Sequence, residues 1–268
     1  LDALFADMKA DGVDMGAVRV INDSGQQHGH VYLGPKALDL LATLNADVSG
    51  SRDLVDIVGS CFSYGTAPIW KTSNTGNQAD DLRRAAGGKD EMIRLTGSDS
   101  PLRFTGAVIR RVGQQFPSVY DNTATVQLIS SFIPAVLTGN SRVPVDFGNG
   151  SGTSLMDYEE KEWSEKLVSA AADGLPGGAT ALMAKLPELV SPDSVVGSIA
   201  RYFVDRYGFS DTCRVAAGSG DNPQTKVLVA GDLLSLGTSF VNMVSTDGSA
   251  YDLDGYANGM YDGLGRPF

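Results

Sequence analysis

The residue whose neighbours best suit it to act as a base is Asp221. It follows an apolar run at 215–217 and a turn at 218–220 that holds two glycines, and Asn222 comes next. The apolar run predicts a buried strand, and glycines at the end of a strand allow a tight turn that a ligand can approach closely. A carboxylate held there could accept the proton of a substrate hydroxyl. The same residue types also form ordinary surface turns, so a turn without a function is the alternative for this stretch alone.

A second polar loop carries both histidines of the chain, His28 and His30. Residues 23–30 follow a predicted strand at 18–21, and Gln27 and His28 stand between glycines. Amide and imidazole groups offer directional hydrogen-bond donors and acceptors, which recognition of a polar ligand requires. A plain polar hairpin is the alternative for this loop.

Two further stretches contain glycines that could face a phosphate group. Residues 148–153 alternate glycine with small polar residues, but they lack the Lys-Ser/Thr ending of a P-loop and the spacing of the dinucleotide motif. Gly237 and Thr238 follow a predicted strand at 233–236. Backbone N–H groups of a glycine turn can bind phosphate oxygens, so both stretches are candidates for a ligand loop, and the first is the weaker one.

A framework of alternating strands and helices must position these loops. Apolar runs predict strands at 18–21, 31–33, 67–70, 126–128, 143–146, 195–199, 213–217, 233–236 and 240–244. Helical periodicity or helix-ending glycines predict helices at 1–11, 36–44, 52–58, 78–86, 89–95, 104–115, 129–137, 160–172, 180–186 and 201–207. This alternation is typical of an α/β protein. Because ligands bind at strand ends in such folds, we expect the loops at His28, Asp221 and Thr238 to meet in one cleft.

Composition narrows the classes of partner. The chain has 268 residues and a formal net charge of −11, which disfavours nucleic acid and anionic membranes because like charges repel. No apolar run approaches the roughly 18 residues of a membrane span. The two cysteines, Cys61 and Cys213, stand in no metal or redox motif. We therefore expect a cytoplasmic globular protein with no dedicated metal site.

Three stretches taken together resemble the FGGY family of carbohydrate kinases, and within it the xylulokinases of eukaryote type: residues 24–29, 220–222 and 235–239. Weaker matches follow in family order and extend the resemblance over essentially the whole chain: Trp70, residues 103–106, 137–139, 150–153 and 163–164. The resemblance implies a ribonuclease H-like, actin-like ATPase fold, in which a mixed sheet is flanked by helices and sugar and ATP bind between two domains. Residues 1–230 would then form the sugar-binding domain, and 231–268 would begin the nucleotide-binding domain. Residues 249–268 are rich in glycine and aspartate, which predicts a poorly anchored segment.

The resemblance also implies roles for single residues. Asp221 matches the catalytic aspartate, which takes the proton of the sugar hydroxyl as that hydroxyl attacks the γ-phosphate of ATP. The positions that line the sugar pocket are matched by Gln27, His28, Arg103 and Asn222. Gly237 and Thr238 match the loop that approaches the ATP phosphates. The implied reaction converts D-xylulose to D-xylulose 5-phosphate and uses ATP with Mg²⁺, which phosphates and waters mainly hold. A homodimer is the assembly to test.

Departures from the family pattern leave alternatives open. Where the family has a Trp-Xaa-Asp segment, Lys71 and Thr72 follow Trp70, and Asn74 stands where bacterial members tend to have arginine. The family's opening phosphate-binding hairpin and most of its second domain are expected outside residues 1–268, so we expect a fragment that is inactive alone. The alternatives are a non-catalytic carbohydrate-binding or regulatory module, a kinase for another ketose or polyol such as ribulose, and an ordinary α/β domain with turn-forming loops.

Overall fold

The computed structural model describes residues 1–46, 52–229, 231–236 and 240–268. The α-helices are α1 (Asp2–Ala10), α2 (Ala37–Ala42), α3 (Leu54–Val58), α4 (Gly76–Ala86), α5 (Lys89–Thr96), α6 (Thr105–Gln115), α7 (Pro117–Asp121), α8 (Ile129–Thr138), α9 (Phe147–Gly150), α10 (Glu165–Ala172), α11 (Gly178–Lys185), α12 (Arg201–Tyr207) and α13 (Asp221–Val227), with short 3₁₀ helices at Met15–Ala17, Thr43–Asn45 and Ser151–Thr153. The strands are β1 (Val20–Ile21), β2 (Ser24–Gly25), β3 (His30–Leu33), β4 (Thr125–Leu128), β5 (Val145–Asp146), β6 (Met156–Asp157), β7 (Glu162–Trp163), β8 (Leu189–Val190), β9 (Val195–Ser198), β10 (Arg214–Ala216), β11 (Ser219–Gly220), β12 (Leu233–Leu236) and β13 (Phe240–Met243). Within these described ranges, no helix is long and apolar enough to cross a bilayer.

The strands pair in both directions. In the three-stranded sheet, β10 pairs with β1 in parallel and with β9 in antiparallel orientation. The remaining pairs are β2–β11 and β5–β8, which are parallel, and β3–β4, β6–β7 and β12–β13, which are antiparallel. Mixed pairing among alternating helices confirms the predicted α/β class.

The parallel pairing of β2 with β11 decides which loops become neighbours. Ser24 lies opposite Ser219, and Gly25 lies opposite Gly220. The preceding strands β1 and β10 are parallel as well. Because parallel strands end at the same edge of a sheet, the loop after β2 and the residues after β11 lie side by side. As the sequence predicted, the histidine loop and Asp221 therefore meet.

Two apolar clusters fix the helices on either side of these loops. In the first, the ring of Phe5 in α1 contacts the rings of Phe203, Tyr207 and Phe209 with centroids 5.0 to 5.7 Å apart, and the same cluster takes in part of α8. The second cluster joins α4, α6 and α10. Burial of apolar surface stabilises the folded state by roughly 25 cal/mol per Å². The two clusters therefore hold α6 and α8 firmly where these helices border the two loops.

Proline lies in two predicted elements, and the structure contains only one of them. The strand predicted at 67–70 does not form, although the carbonyl of Pro68 accepts a hydrogen bond of 3.3 Å from the N–H of His30. Proline lacks the N–H that a strand would use for further pairing. By contrast, α8 starts at Ile129 and runs through Pro134. The helix predicted at 129–137 is therefore confirmed, with Pro134 inside it.

Candidate functional site

The two loops that meet at β2 and β11 are joined by hydrogen bonds at their first residues. The backbone N–H of Gln27 donates to Oδ1 of Asp221 over 3.1 Å, although the two residues are 194 positions apart. The side-chain amide of Asn222 donates to Oε1 of Gln27 over 2.8 Å. Three of the predicted site residues therefore form one hydrogen-bonded unit. Since Oδ1 of Asp221 is occupied, Oδ2 is the oxygen that a ligand hydroxyl would approach.

Gly220 makes this junction sterically possible. A Cβ atom at this position would lie 2.3 Å from Cγ of Gln27 and 2.7 Å from Oδ1 of Asn149. Both distances are far inside van der Waals contact, and neither neighbour lies at the surface. The glycine before Asp221, which the sequence singled out for its turn geometry, is therefore needed for close packing between the two loops.

His28 is held in one orientation by three neighbours. Its Nδ1–H donates to the carbonyl of Gly152 over 2.9 Å, its ring stacks on Phe104 at 4.4 Å, and its backbone has a φ of 65°. Burial lowers the pKa of His28 to about 3, and the charge of Arg103 adds to this effect. The imidazole is therefore neutral near neutral pH, and because Nδ1 carries the proton, Nε2 presents a lone pair that can accept a hydrogen bond.

The second histidine, His30, has a supporting position that the sequence did not reveal. Its Nδ1–H donates to the carbonyl of His28 over 3.0 Å, and its Nε2 accepts from the hydroxyl of Tyr32 over 3.0 Å. Burial lowers the pKa of His30 to about 4. His30 therefore fixes the backbone of His28 from inside the protein. The alternation along β3, which places His30 and Tyr32 on one face, is the signal that could have identified it.

Arg103 lies beside the same aromatic ring, directly before α6. Its guanidinium group sits 5.6 Å from the ring centroid of Phe104, and burial lowers the pKa of Arg103. Among the described residues, no carboxylate forms an ion pair with it. A half-buried guanidinium without a carboxylate is well suited to bind ligand oxygens.

A cavity of about 740 Å³ brings four of the predicted site residues together: Gln27, His28, Arg103 and Asn222. The rest of its lining comes mainly from β13 and from the last 20 or so residues of the chain, including Tyr251, Asn258 and Met260. Asp221 is not among its lining residues; its side chain is exposed and reaches the cavity wall through Gln27 and Asn222. The predicted sugar-site residues thus share one cavity, with Asp221 bonded to its wall.

The C-terminal wall was missed by the sequence, which predicted a poorly anchored segment after residue 248. That prediction is wrong, because the ring of Tyr261 stacks on Tyr158 at 4.6 Å and the side-chain amide of Gln27 contacts the sulfur of Met260 at 3.7 Å. Local composition, rich in glycine and aspartate, suggested a loose tail. The anchors are aromatic contacts with residues about 100 positions away, which composition cannot reveal.

The glycine run at 148–153 lies behind the site and does not line the cavity. Its residues are buried, and a Cβ atom on Gly152 would lie 2.8 Å from Cε1 of His28, while one on Gly148 would lie 2.6 Å from the hydroxyl oxygen of Ser219. The glycines are required because the site residues pack directly on this turn. A phosphate-binding role for this run, already the weaker signal, has no support here.

The remaining predicted positions lie elsewhere. Gly237 and Thr238 fall outside the residues that the structure describes. Thr72 and Asn74 line a separate groove of about 280 Å³ together with Lys71 and Arg111, so the departures from the family pattern do not face the main cavity.

A metal ion has no evident cage in the described ranges. They contain no group of three or more histidine, cysteine, aspartate or glutamate side chains that could hold one.

Known proteins resemble this chain over most of its length. Residues 64–227 match the FGGY family of carbohydrate kinases, N-terminal domain. The chain is 35% identical over 251 residues to the probable D-xylulose kinase A of Neosartorya fischeri, covering 92% of this chain and 43% of that protein. It is 38% identical over 243 residues to the xylulose kinase of Rattus norvegicus, covering 89% of this chain and 43% of that protein.

Solved structures confirm the fold. The crystal structure of the xylulose kinase from Rhodospirillum rubrum superimposes with a TM-score of 0.75 at 17% identity, over 99% of this chain and 48% of that one. At this identity the likeness concerns the fold alone, which is the actin-like ATPase fold expected from the sequence. The chain spans less than half the length of the curated relatives that it matches.

Proposed function

We propose that this chain, which belongs to the FGGY family of carbohydrate kinases, is the sugar-binding part of an ATP-dependent kinase that converts D-xylulose to D-xylulose 5-phosphate. The observation that carries the proposal is the bonded unit of Gln27, Asp221 and Asn222 at the edge of a cavity shared with His28 and Arg103. A carboxylate next to a set of polyol-binding groups is what phosphorylation of a sugar hydroxyl requires. Because the chain covers 43% of its relatives, the activity is proposed for the complete protein.

The proposed reaction uses Asp221 as a general base. Oδ2 of Asp221 accepts the proton of the terminal sugar hydroxyl while that oxygen forms a bond to the γ-phosphorus of ATP. The bond from this phosphorus to the β–γ bridging oxygen breaks, and ADP leaves. The N–H of Gln27 on Oδ1 keeps the carboxylate oriented during the transfer. When bound, Mg²⁺ neutralises part of the phosphate charge.

We propose that hydrogen-bond donors and acceptors in the cavity recognise the hydroxyl groups of the sugar. Nε2 of His28 accepts a hydrogen bond from a hydroxyl, and the amides of Gln27 and Asn222 can both donate and accept. Arg103 donates to oxygens only, because a guanidinium group has no acceptor. A polyol, whose hydroxyls both donate and accept, satisfies this mixed set better than an apolar or anionic ligand.

The domain division is part of the same proposal. Residues 1–230 would bind the sugar, and residues 231–268 would begin the nucleotide-binding domain, with Gly237 and Thr238 near the ATP phosphates. Residues in the described part of 231–268 line the same cavity as Gln27 and His28, which supports a cleft between two units.

A second candidate is a carbohydrate-binding module without turnover, and the position of Asp221 outside the cavity lining is the observation that favours it. Both candidates predict binding of a ketose or polyol, including ribulose, in the same cavity. They differ in whether Asp221 transfers a proton.

The test is a coupled ADP-release assay of the full-length protein with ATP, Mg²⁺ and a panel of ketoses and polyols. D-xylulose should give the highest kcat/KM, and Asp221→Ala should lower kcat by about 10²–10⁴-fold, the usual contribution of a general base, while sugar affinity by calorimetry changes little. Asp211→Asn, a change at another exposed aspartate, is the control. An unchanged kcat in Asp221→Ala would refute the base, and sugar binding without ADP release in the wild type would favour the module.

A further inference from the structure

A buried acidic residue that the proposed reaction does not use lies beneath the turn that carries Asp221. Asp146 ends β5 and is 1% exposed. Its carboxylate accepts hydrogen bonds from the backbone N–H and the side-chain amide of Asn149, at 3.2 and 3.0 Å, and from the hydroxyl of Ser219. A buried carboxylate is costly unless donors of this kind compensate it. The chain therefore keeps an interior charge at one specific place.

The two residues that donate hydrogen bonds to Asp146 lie in, or pack against, the strand that precedes the proposed base. Ser219 lies in β11, two residues before Asp221. Asn149 packs its side-chain oxygen against Gly220, where an added Cβ would lie 2.7 Å away, and it also donates to the hydroxyl of Ser130 in α8. Asp146 thus restrains the backbone that leads into Asp221 through Ser219 and through Asn149, although neither Asp146 nor Ser219 lines the cavity.

A second carboxyl group faces the same turn. An added Cβ on Gly218 would lie 1.8 Å from Oδ1 of Asp23, so this acid lies directly against the turn. Both of its carboxyl oxygens are buried without a hydrogen-bond partner among the described residues. Within that part of the chain, Asp146 is the one charged group that acts on Asp23.

The two acidic residues differ in their protonation state. Burial, followed by the charge of Asp146, raises the pKa of Asp23 to about 8. Burial also raises the pKa of Asp146, but hydrogen bonds from Ser219, Asn149 and the backbone of Gly148 oppose the shift, and the value is about 6. Between these values, Asp23 keeps its proton and Asp146 is charged. Ionisation of Asp23 at higher pH would place two negative charges at one turn.

We propose that Asp146 is a positioning residue for the base: by holding Ser219 and Asn149, it keeps the carboxylate of Asp221 bonded to the N–H of Gln27 and oriented toward the sugar hydroxyl. This inference rests on the proposed role of Asp221. The proposed positioning also requires that Asp23 is neutral. A negative charge on Asp23 would repel Asp146 and loosen the pairing of β2 with β11.

The first test removes one donor in the full-length protein. Ser219→Ala should lower kcat for D-xylulose by about tenfold or more, as expected for a lost hydrogen bond to a charged group, with sugar affinity within about threefold of the wild type. Ser219→Thr keeps the hydroxyl and should restore most of kcat. Thr123→Val removes a buried hydroxyl far from the site and should leave kcat unchanged.

The second test measures whether Asp221 stays bonded to Gln27, and it does not require catalysis. Hydrogen exchange of the Gln27 amide reports its bond to Asp221, so exchange should accelerate at least tenfold in Ser219→Ala and in Asp146→Asn, and not in Thr123→Val. If the wild type phosphorylates no sugar, the proposed function fails, and this measurement still decides whether Asp146 positions Asp221. Wild-type exchange and wild-type kcat in Ser219→Ala would overturn the inference and leave the kinase proposal standing.

The third test uses the acid pair and does not depend on the folding of Asp146→Asn. In the wild type, kcat should decline as the pH rises through about 8, where Asp23 ionises. Asp23→Asn keeps the side chain neutral and should remove this decline while kcat at neutral pH stays within about threefold. An identical alkaline decline in both proteins would count against the role of the pair.

Discussion

At the scale of single residues, the most informative side chain is His28. It has the backbone geometry of a left-handed turn, one ring nitrogen bonded to Gly152, and a face stacked on Phe104. Each restraint comes from a different part of the chain. Together they turn an imidazole, which usually titrates near neutral pH, into a fixed neutral acceptor. That property suits the recognition of a hydroxyl group.

The ring of His28 should therefore not titrate in the physiological range. Its pKa of about 3 predicts that its NMR resonances stay constant from about pH 5 to pH 8, the range in which an ordinary histidine changes charge. Nitrogen shifts should show the proton on Nδ1. A titration with a midpoint near the ordinary value would contradict both the burial and the hydrogen bond to Gly152.

Both histidines also predict a loss of stability in acid. Their pKa values in the folded chain, about 3 and about 4, lie below the ordinary value of about 6.5, so the unfolded chain binds protons first as the pH falls. Each histidine should therefore lower the free energy of unfolding below about pH 6.5, by up to about 1.4 kcal/mol per pH unit. Asp23 and Asp146 act in the opposite direction, because their raised pKa values of about 8 and about 6 let the folded chain bind protons first. Urea denaturation between about pH 7 and pH 5 should therefore compare the wild type with His28→Asn, which lacks the contribution of His28. Equal pH slopes in the two proteins would show that His28 is not buried in its neutral form.

At the scale of elements, the short parallel pair β2–β11 does more for the site than its length suggests. It aligns Gly25 with Gly220, and both glycines are in close contact with other backbone or side-chain atoms. A Cβ on Gly25 would lie 2.6 Å from the backbone nitrogen of Ser130 in α8. The pair can therefore form only where small residues let two loops and a helix approach one another.

Replacing Gly220 with alanine should separate the loops. The added Cβ would overlap Gln27 and Asn149, and overpacking of this kind costs about 1–3 kcal/mol. We expect the free energy of unfolding to fall by that amount and turnover of the full-length protein to be largely lost. Gly65→Ala is the matched control, since a Cβ there meets nothing within 4 Å. Equal stability of the two variants would show that the loops can separate without cost.

At the scale of the whole molecule, the cavity is built from segments far apart along the chain. One wall comes from the loops at Gln27 and Arg103 and from the start of α13, and the other comes from β13 and the C-terminal residues. The C-terminal residues are attached through an aromatic cluster in which Tyr261 stacks on Tyr158 and its hydroxyl donates to the carbonyl of Tyr158. Integrity of the cavity thus depends on packing outside it.

Tyr261→Ala should detach this wall. Removing a buried aromatic side chain costs about 3–5 kcal/mol, and the loss should appear as faster proteolysis within residues 249–268 and weaker sugar binding. Tyr256→Ala changes a side chain that is 92% exposed and should leave the proteolysis rate near that of the wild type. If both variants were cut equally slowly, the aromatic cluster would not be what holds the segment.

Some of these features follow from the amino-acid sequence alone. The alternation of predicted strands and helices was enough to predict an α/β protein. The stretches 24–29, 220–222 and 235–239 together indicated the family, and four of the predicted site residues share one cavity in the structure. Such inferences succeed because they depend on local chemistry: the turn geometry that glycine permits, the periodicity of apolar residues, and the functional groups that a motif must contain.

The tertiary structure alone decided the rest. It shows Asp221 bonded to the cavity wall without lining it, His30 and Asp146 as supports behind the site, the run at 148–153 as packing, and the C-terminal residues as the second wall. All of these depend on contacts between residues distant in the chain. Burial and the fields of neighbouring charges also set the protonation of Asp23 and His28, and they are sums over the folded environment that no local pattern contains.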